Sequence, residues 1–116
     1  MSRAVQDFLD PRMPLPGVAA WAARLADRSL VHQAYVDWFT PAQLEKMIAH
    51  MALAAEHLAR HQIQPRQVCW VFEHAHIHLA VRPDGACLAL FAENRAAVPT
   101  DMLTELLTEF LALPEL

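Results

Sequence analysis

The chain has 116 residues and a formal net charge of −4 with its seven histidines neutral, a size that fits one domain with a single core. Its nine Lys and Arg residues form no cluster, which argues against nucleic acid as a partner. The sequence has no apolar run of about 18 residues or more and no signal-like N-terminus. We therefore expect no membrane insertion and a cytoplasmic location.

The composition is unusually apolar for such a small domain. Hydrophobic residues make up 55% of the chain and charged residues 19%, which is more apolar surface than one small core requires and predicts an oligomer. The two cysteines, Cys69 and Cys87, have no CxxC spacing and lie in apolar, strand-like runs. We therefore expect two buried free thiols, and neither a disulfide framework nor a zinc site.

Prolines divide the first third of the chain, because proline is excluded from helix interiors and central strands. We assign residues 1–14 to a short N-terminal helical stretch and a Pro-rich lead, and residues 15–116 to one domain. The segments "GVAAWAARL" and "LVHQAYVDWF" flank a polar break at residues 26–29. This pattern predicts a hairpin of two strands.

The clearest local signal is Thr40-Pro41-Ala42-Gln43, a capping box with proline at the first helical position. Phe39 and Leu44 have the spacing of a hydrophobic staple around it. The sequence predicts a helix that begins there and runs to about residue 61 or 62. Its core-facing stripe should comprise Leu44, Met47, Ile48, Met51, Ala55 and Leu58.

The outer surface of this helix is only partly polar. Ala49, Ala52 and Leu53 are predicted to lie away from the core-facing stripe, among charged residues. Small and apolar side chains at these positions would let a second helix approach closely. The alternative is a mildly apolar exposed face with no partner, which is common because protein surfaces are more than half apolar by area.

The second half of the chain predicts three strands and a helix. "RQVCWVFE", "HIHLAVR" and "ACLALFA" are short apolar runs, and Arg82-Pro83-Asp84-Gly85 is a turn sequence. "VCWVF" and "CLALF" are apolar in both phases, so these strands should be covered on both faces or paired in an interface. Residues 98–101 open a last helix whose apolar stripe is Met102, Leu103, Leu106, Leu107, Phe110 and Leu111.

The predicted fold class is α/β (α+β): a single antiparallel five-stranded sheet flanked by helices, in the order α-β-β-α-β-β-β-α. This order resembles the roadblock/dynein light-chain family, whose architecture is shared with longin and profilin-like domains. The resemblance rests on "LPGVAAWAARLADRSLVHQAY" at residues 15–35, on the capped helix at 40–62, and on "VCWVFEHAHIHLAVRPDGACLALFAEN" at 68–94. Family members often have glycine near the end of the first hairpin turn, where this chain has Ser29, so a slightly longer loop is expected.

The resemblance implies a homodimer in which the long helix packs against its twofold mate and the third strand pairs edge to edge with its copy. On this chain it places Ala49, Ala52 and Leu53, with His50 or His57, in the helix contact. The strand contact would run from Val68 to Phe72 and include Trp70. Such an interface would also cover an aggregation-prone edge.

Three histidines alternate along the predicted fourth strand, at His74, His76 and His78. Imidazole is a ligand for zinc, copper and nickel, and His57 and His61 form a second pair at helical spacing. However, alternate strand residues lie nearly 7 Å apart, about two rises of ~3.3 Å, so three in a row cannot easily converge on one ion. We prefer a half-solvated histidine face, or one beneath the last helix, with Ala75, Ile77 and Leu79 facing the core.

No motif for catalysis or for a cofactor is present. Ser29 lacks a nucleophile-elbow context, two glycines cannot build a phosphate-binding loop, and no motif places a pair of carboxylates. The family resemblance implies a non-catalytic module that binds, scaffolds or regulates a small Ras-like GTPase, and this is our preferred function. The alternatives are a secretion-chaperone-like binding dimer and a metal-responsive or pH-responsive protein that uses the histidine strand.

Overall fold

The computed structural model describes residues 2–13, 15–64, 66–73, 75–93 and 100–114. Its elements are α1 (Ser2–Leu9), β1 (Val18–Arg24), β2 (Leu30–Ala34), α2 (Pro41–Arg60), β3 (Gln67–Val71), β4 (Ala75–Val81), β5 (Cys87–Glu93) and α3 (Thr100–Ala112). The strands form one antiparallel sheet in the order β2-β1-β5-β4-β3. The predicted fold class and element order are therefore confirmed.

The helices lie on both faces of the sheet. One apolar cluster joins α1 and α3 to one face through Val5, Leu9 and Phe110, which are 0% exposed. A second cluster joins α2 to the other face through Leu44 and Ile48. Since β5 lies in the middle of the sheet with helices on both sides, its apolar side chains are buried on both faces of the sheet, as predicted.

The predicted start of α2 is confirmed in detail. The Thr40 hydroxyl accepts a hydrogen bond from the Gln43 backbone N–H at 3.2 Å, and the Gln43 side-chain oxygen accepts one from the Thr40 N–H at 2.9 Å. Pro41 stands at the first helical position and His61 ends the helix. The staple partner Phe39 packs at 5.2 Å, centroid to centroid, on Phe91 of β5, which fixes the N-terminal end of α2 on the sheet.

The prediction that Ala52 lies on the outer face of α2 is wrong. Ala52 is 4% exposed and packs in the α2 cluster, whereas Met47 and Met51 of the predicted stripe are only half-buried. The sheet under the helix presents small residues, Ala20 and Ala22 among them. A helix can approach such a surface closely when its central contact is an alanine, and the bulkier methionines then lie to one side.

Three further predictions need correction. β2 ends at Ala34, because the chain turns there toward the cap of α2. Met102 is 47% exposed and does not belong to the buried stripe of α3. Cys69 is exposed and only Cys87 is buried, because β3 is an edge strand covered less completely than β5.

Two of the turns that join strands contain a residue with positive φ among the described residues. Gly85 of the predicted turn has φ +93°, and the turn is closed by a 2.8 Å bond from the Arg82 N–H to the Ala86 carbonyl. In the first hairpin the left-handed residue is Arg28, with φ +72°. This turn contains no glycine, and the Asp27 carboxylate stabilises it by accepting a hydrogen bond from the Ser29 N–H.

Candidate interaction surface

An apolar groove runs along α2 on the side that faces β3. Among the described residues it consists of adjoining cavities of about 380, 250 and 680 Å³, and His50 lines all three. We call it the α2–β3 groove. Its lining residues are Trp38, Phe39, Gln43, Lys46, Met47, His50, Met51, Leu53, Ala54, His57, Leu58, Arg60, Val68, Trp70, Phe72 and Ile77.

The groove arises because the sheet is wider than the helix that covers it. The cluster under α2 includes Ile77 of β4, with Trp70 of β3 only half-buried at its margin. Val68 and Trp70 therefore project beside the helix and form the wall of the groove. Leu53 at 58% exposure and Phe72 at 51% lie along this surface, although large apolar side chains ordinarily seek burial.

The structure brings together most of the predicted contact residues. Leu53, Val68 and Trp70 line one cavity, and Trp70 lines the next with Phe72. Ala49 is exposed on α2 but lines none of the three cavities of the groove.

Several groove residues were not predicted from the sequence to lie on this surface, Met47, Met51, Ala54, Trp38 and Leu58 among them. The two methionines were assigned to the core because they fit the helical period. Trp38 is 59% exposed and stacks on Phe39 at 4.9 Å. Its residue type indicated a core, interface or pocket position in the sequence, and its place next to the staple residue does not indicate exposure.

The outer edge of β3 carries main-chain groups directed away from the sheet. The Phe72 N–H donates to the Ala75 carbonyl at 2.8 Å, and the Arg66 carbonyl accepts from the Val81 N–H at 2.8 Å. Even-numbered residues of this strand therefore direct their main chain toward β4. Because these directions alternate along a strand, Gln67, Cys69 and Val71 direct theirs outward, toward an additional strand.

The charged residues of the groove are basic. Lys46 and Arg60 line its cavities near opposite ends of α2, and His57 lies between them. The acidic residues of α2 point elsewhere, since Glu45 is 3.2 Å from the His32 ring and Glu56 is 3.2 Å from the Arg24 guanidinium. The groove thus has an apolar floor and a cationic margin, the arrangement of a protein interface with a polar rim.

The histidine strand forms no convergent metal site. His76 and His78 lie on the α3 side of the sheet with ring centroids 6.2 Å apart, and His74 lies outside the described residues. No group of three or more His, Cys, Asp or Glu side chains in the described part of the chain is arranged to hold an ion. The prediction that Ile77 and Leu79 face the core is confirmed, at 3% and 0% exposure.

A separate cavity of about 370 Å³ lies between the C-terminal half of α2 and the β4–β5 turn. Two charged residues of its lining are engaged, because Glu56 pairs with Arg24 and Arg82 bonds to Asp84 and to the Phe110 carbonyl. Ala52, Ala55 and Ala59 make the helical wall. Short side chains on the helix leave this space, and the ion pairs at its margin link the elements around it.

Comparison with solved structures identifies the architecture. The gliding protein MglB from Thermus thermophilus matches with a TM-score of 0.69 and 15% identity over 96% of this chain and 87% of that one. Myxococcus xanthus MglB matches with a TM-score of 0.62 and 10% identity over 82% and 81%. A Roadblock/LC7 domain from Streptomyces avermitilis matches with a TM-score of 0.56 and 16% identity over 93% and 94%.

Neither a family model nor a curated protein matches the chain in sequence. None of the helices in the described ranges is long and apolar enough to cross a membrane. At 10 to 16% identity the likeness establishes the fold, and function has to be argued from the surface. The chain has the roadblock fold, as its pattern of strands and helices predicts.

Proposed function

We propose that this protein is a non-catalytic regulatory module that forms a homodimer through the α2–β3 groove, and that the dimer binds and regulates a small Ras-like GTPase. The observation that carries the proposal is the exposure of apolar side chains along the groove next to an open strand edge. The roadblock fold supports it, because members of that family bind or regulate such GTPases.

A twofold contact would bury the exposed apolar side chains and would also provide a partner strand for the open edge of β3. Leu53 and Phe72 would be buried, and the outward N–H and C=O groups of β3 would pair with the same groups of the copy. Fully burying a leucine side chain contributes about 1.5–3 kcal/mol. One of the matching structures is described as MglB with a tetrameric arrangement, so self-association occurs in a protein of the same fold.

The dimer is tested by placing a charge in the groove. In Leu53→Glu, the carboxylate would lose its hydration in the interface, so we expect the dimer dissociation constant to rise at least tenfold. The matched control is Met102→Glu, which adds the same charge at a residue of similar exposure, 47% against 58%, on the other side of the sheet. Light scattering after size exclusion measures the mass of each variant, and equal dimerisation of all three proteins would contradict the proposed interface.

The GTPase is tested by affinity capture from the cell lysate of the source organism, with excess GDP in one sample and a non-hydrolysable GTP analogue in the other. We expect a small Ras-like GTPase to be enriched in one nucleotide state, because a regulator acts through different affinities for the two conformations. Capture of the same non-GTPase protein in both samples would contradict this role. Capture of unfolded segments regardless of nucleotide would favour the chaperone-like alternative.

A further inference from the structure

Cys69 and His78 form a pair on the face of the sheet opposite the groove. They are directly opposed residues of β3 and β4, and Cys69 Sγ is 4.0 Å from His78 Nε2. Because the main chain of Cys69 points away from β4, this is a non-hydrogen-bonded pair, the position at which cross-strand side chains come closest. The thiol is free and exposed.

The histidine of this pair is suited to act as a ligand. Burial, with a smaller contribution from the neighbouring His76, lowers the pKa of His78, which favours the neutral form of the ring. A neutral imidazole keeps one nitrogen lone pair available for coordination. His76 is on the same face, with its ring centroid 6.2 Å from that of His78.

We propose that Cys69 and His78 together bind a soft monovalent cation of the Cu(I) class. Thiolate and imidazole are the donors that such ions prefer. With the distances that zinc shows, about 2.3 Å to sulfur and about 2.1 Å to nitrogen, as a guide, two donors of one ion are about 3.6 Å apart at a tetrahedral angle and about 4.4 Å apart in a linear arrangement. The observed separation of 4.0 Å lies between these values, so one ion can bridge both atoms with little movement.

The number of donors selects the class of ion. Structural zinc takes four protein ligands, and the described residues offer no group of three or more. A d¹⁰ monovalent ion accepts two ligands, and here those are one sulfur and one nitrogen. On binding, the thiol releases its proton to solvent and the sulfur donates an electron pair to the ion, with no change in oxidation state of either.

The site differs from the set of His74, His76 and His78, which was considered from the sequence and not preferred. Alternate histidines of one strand are too widely spaced, whereas Cys69 reaches His78 from the neighbouring strand. The site lies on the α3 side of the sheet, where Gln67 of β3 bonds to Thr108. It therefore lies on the face of the sheet opposite the groove, although Cys69 belongs to the strand whose edge is part of the proposed dimer contact.

The test measures Cu(I) affinity of the full chain by competition with bicinchoninate under anaerobic, reducing conditions, with Ag(I) as a redox-inert second probe. We expect one equivalent to bind, and Cys69→Ser and His78→Gln each to weaken binding at least tenfold. The control is His57→Gln, which changes a histidine of the His57–His61 pair on α2, where the ring centroids are 4.8 Å apart. This control should retain the original affinity, and circular dichroism should show that all variants are folded.

Two outcomes would overturn the proposal. If His78→Gln binds Cu(I) as tightly as the original chain, the exposed thiol acts alone and there is no two-residue site. If Zn(II), measured by competition with a chromogenic chelator, binds more tightly than Cu(I), the site has other ligands and belongs to another class of ion. Loss of Cu(I) binding in both site variants, with the His57→Gln control intact, supports the assignment.

Discussion

At the scale of single residues, the two thiols of the chain lie in different surroundings. Cys87 is 1% exposed in the centre of the sheet, and burial raises its pKa from 9.0 to about 11. Above pH 9 the unfolded chain therefore loses the Cys87 proton more readily than the folded chain does. The contribution of this thiol to stability is complete below about pH 9 and is lost as the pH rises toward 11.

We expect the free energy of unfolding to fall by about 2 kcal/mol more in the original chain than in Cys87→Ala between about pH 8 and pH 10.5. Urea denaturation at the two pH values measures this difference. Cys69→Ala keeps the buried thiol and should show the full alkaline loss. An equal loss in Cys87→Ala would mean that this thiol is not the group responsible.

The same residues show what the sequence could not predict. Both cysteines lie in runs that are apolar in both phases, yet only Cys87 is buried. Position in the sheet decides between them, because β5 is central and β3 is at the edge. Ala52 is buried and Met51 only half-buried for a related reason: the small residues of the sheet determine which side of α2 approaches it.

At the scale of elements, two arginines link α3 to neighbouring elements. Each guanidinium donates to a main-chain carbonyl and pairs with a carboxylate, but the two side chains differ in burial. Arg82 Nη1 donates to the Phe110 carbonyl at 2.7 Å, and Arg82 Nε is 3.2 Å from Asp84. Arg12 Nη1 donates to the Phe8 carbonyl at 2.6 Å, and its guanidinium is 2.8 Å from Glu109. The side chains are 6% and 37% exposed, respectively.

We expect Arg82→Ala to reduce the free energy of unfolding by about 2–3 kcal/mol, because it leaves a buried carbonyl without its charged donor. Arg12→Ala should cost about 1 kcal/mol or less, since water can replace its contacts and surface pairs are weak. Chemical denaturation of both variants gives the comparison. Equal losses would show that burial does not control the strength of these links.

Signals confined to a few neighbouring residues predicted the elements well. The capping box at Thr40 and the turn at Gly85 use chemistry that acts within four residues, so the sequence sufficed to place them. The groove residues could not be predicted in full, because their exposure depends on how far the sheet extends beyond α2. Trp70 was predicted for the contact, whereas Met47 was assigned to the core.

At the scale of the whole molecule, helices cover both faces of the sheet, whereas the edge formed by β3 is exposed. Exposed edges are sites of pairing with other chains, and proteins usually cover or interrupt them. Here the edge strand keeps an outward-facing row of main-chain groups beside an apolar groove, so edge and groove form one continuous surface. A partner that uses only one of the two would leave the other exposed.

The substitution Val71→Pro tests whether the β3 edge takes part in the proposed dimer. Val71 is 72% exposed and its N–H points outward, so Val71→Pro removes a donor to an added strand while keeping the bonds to β4, a position that proline tolerates. We expect the dimer dissociation constant to rise at least tenfold, with little change in unfolding of the monomer. Phe72→Pro, which removes the bond to the Ala75 carbonyl, should instead destabilise the monomer. If Val71→Pro dimerises like the original chain while Leu53→Glu does not, the copies meet through the groove alone and the sheets are not joined.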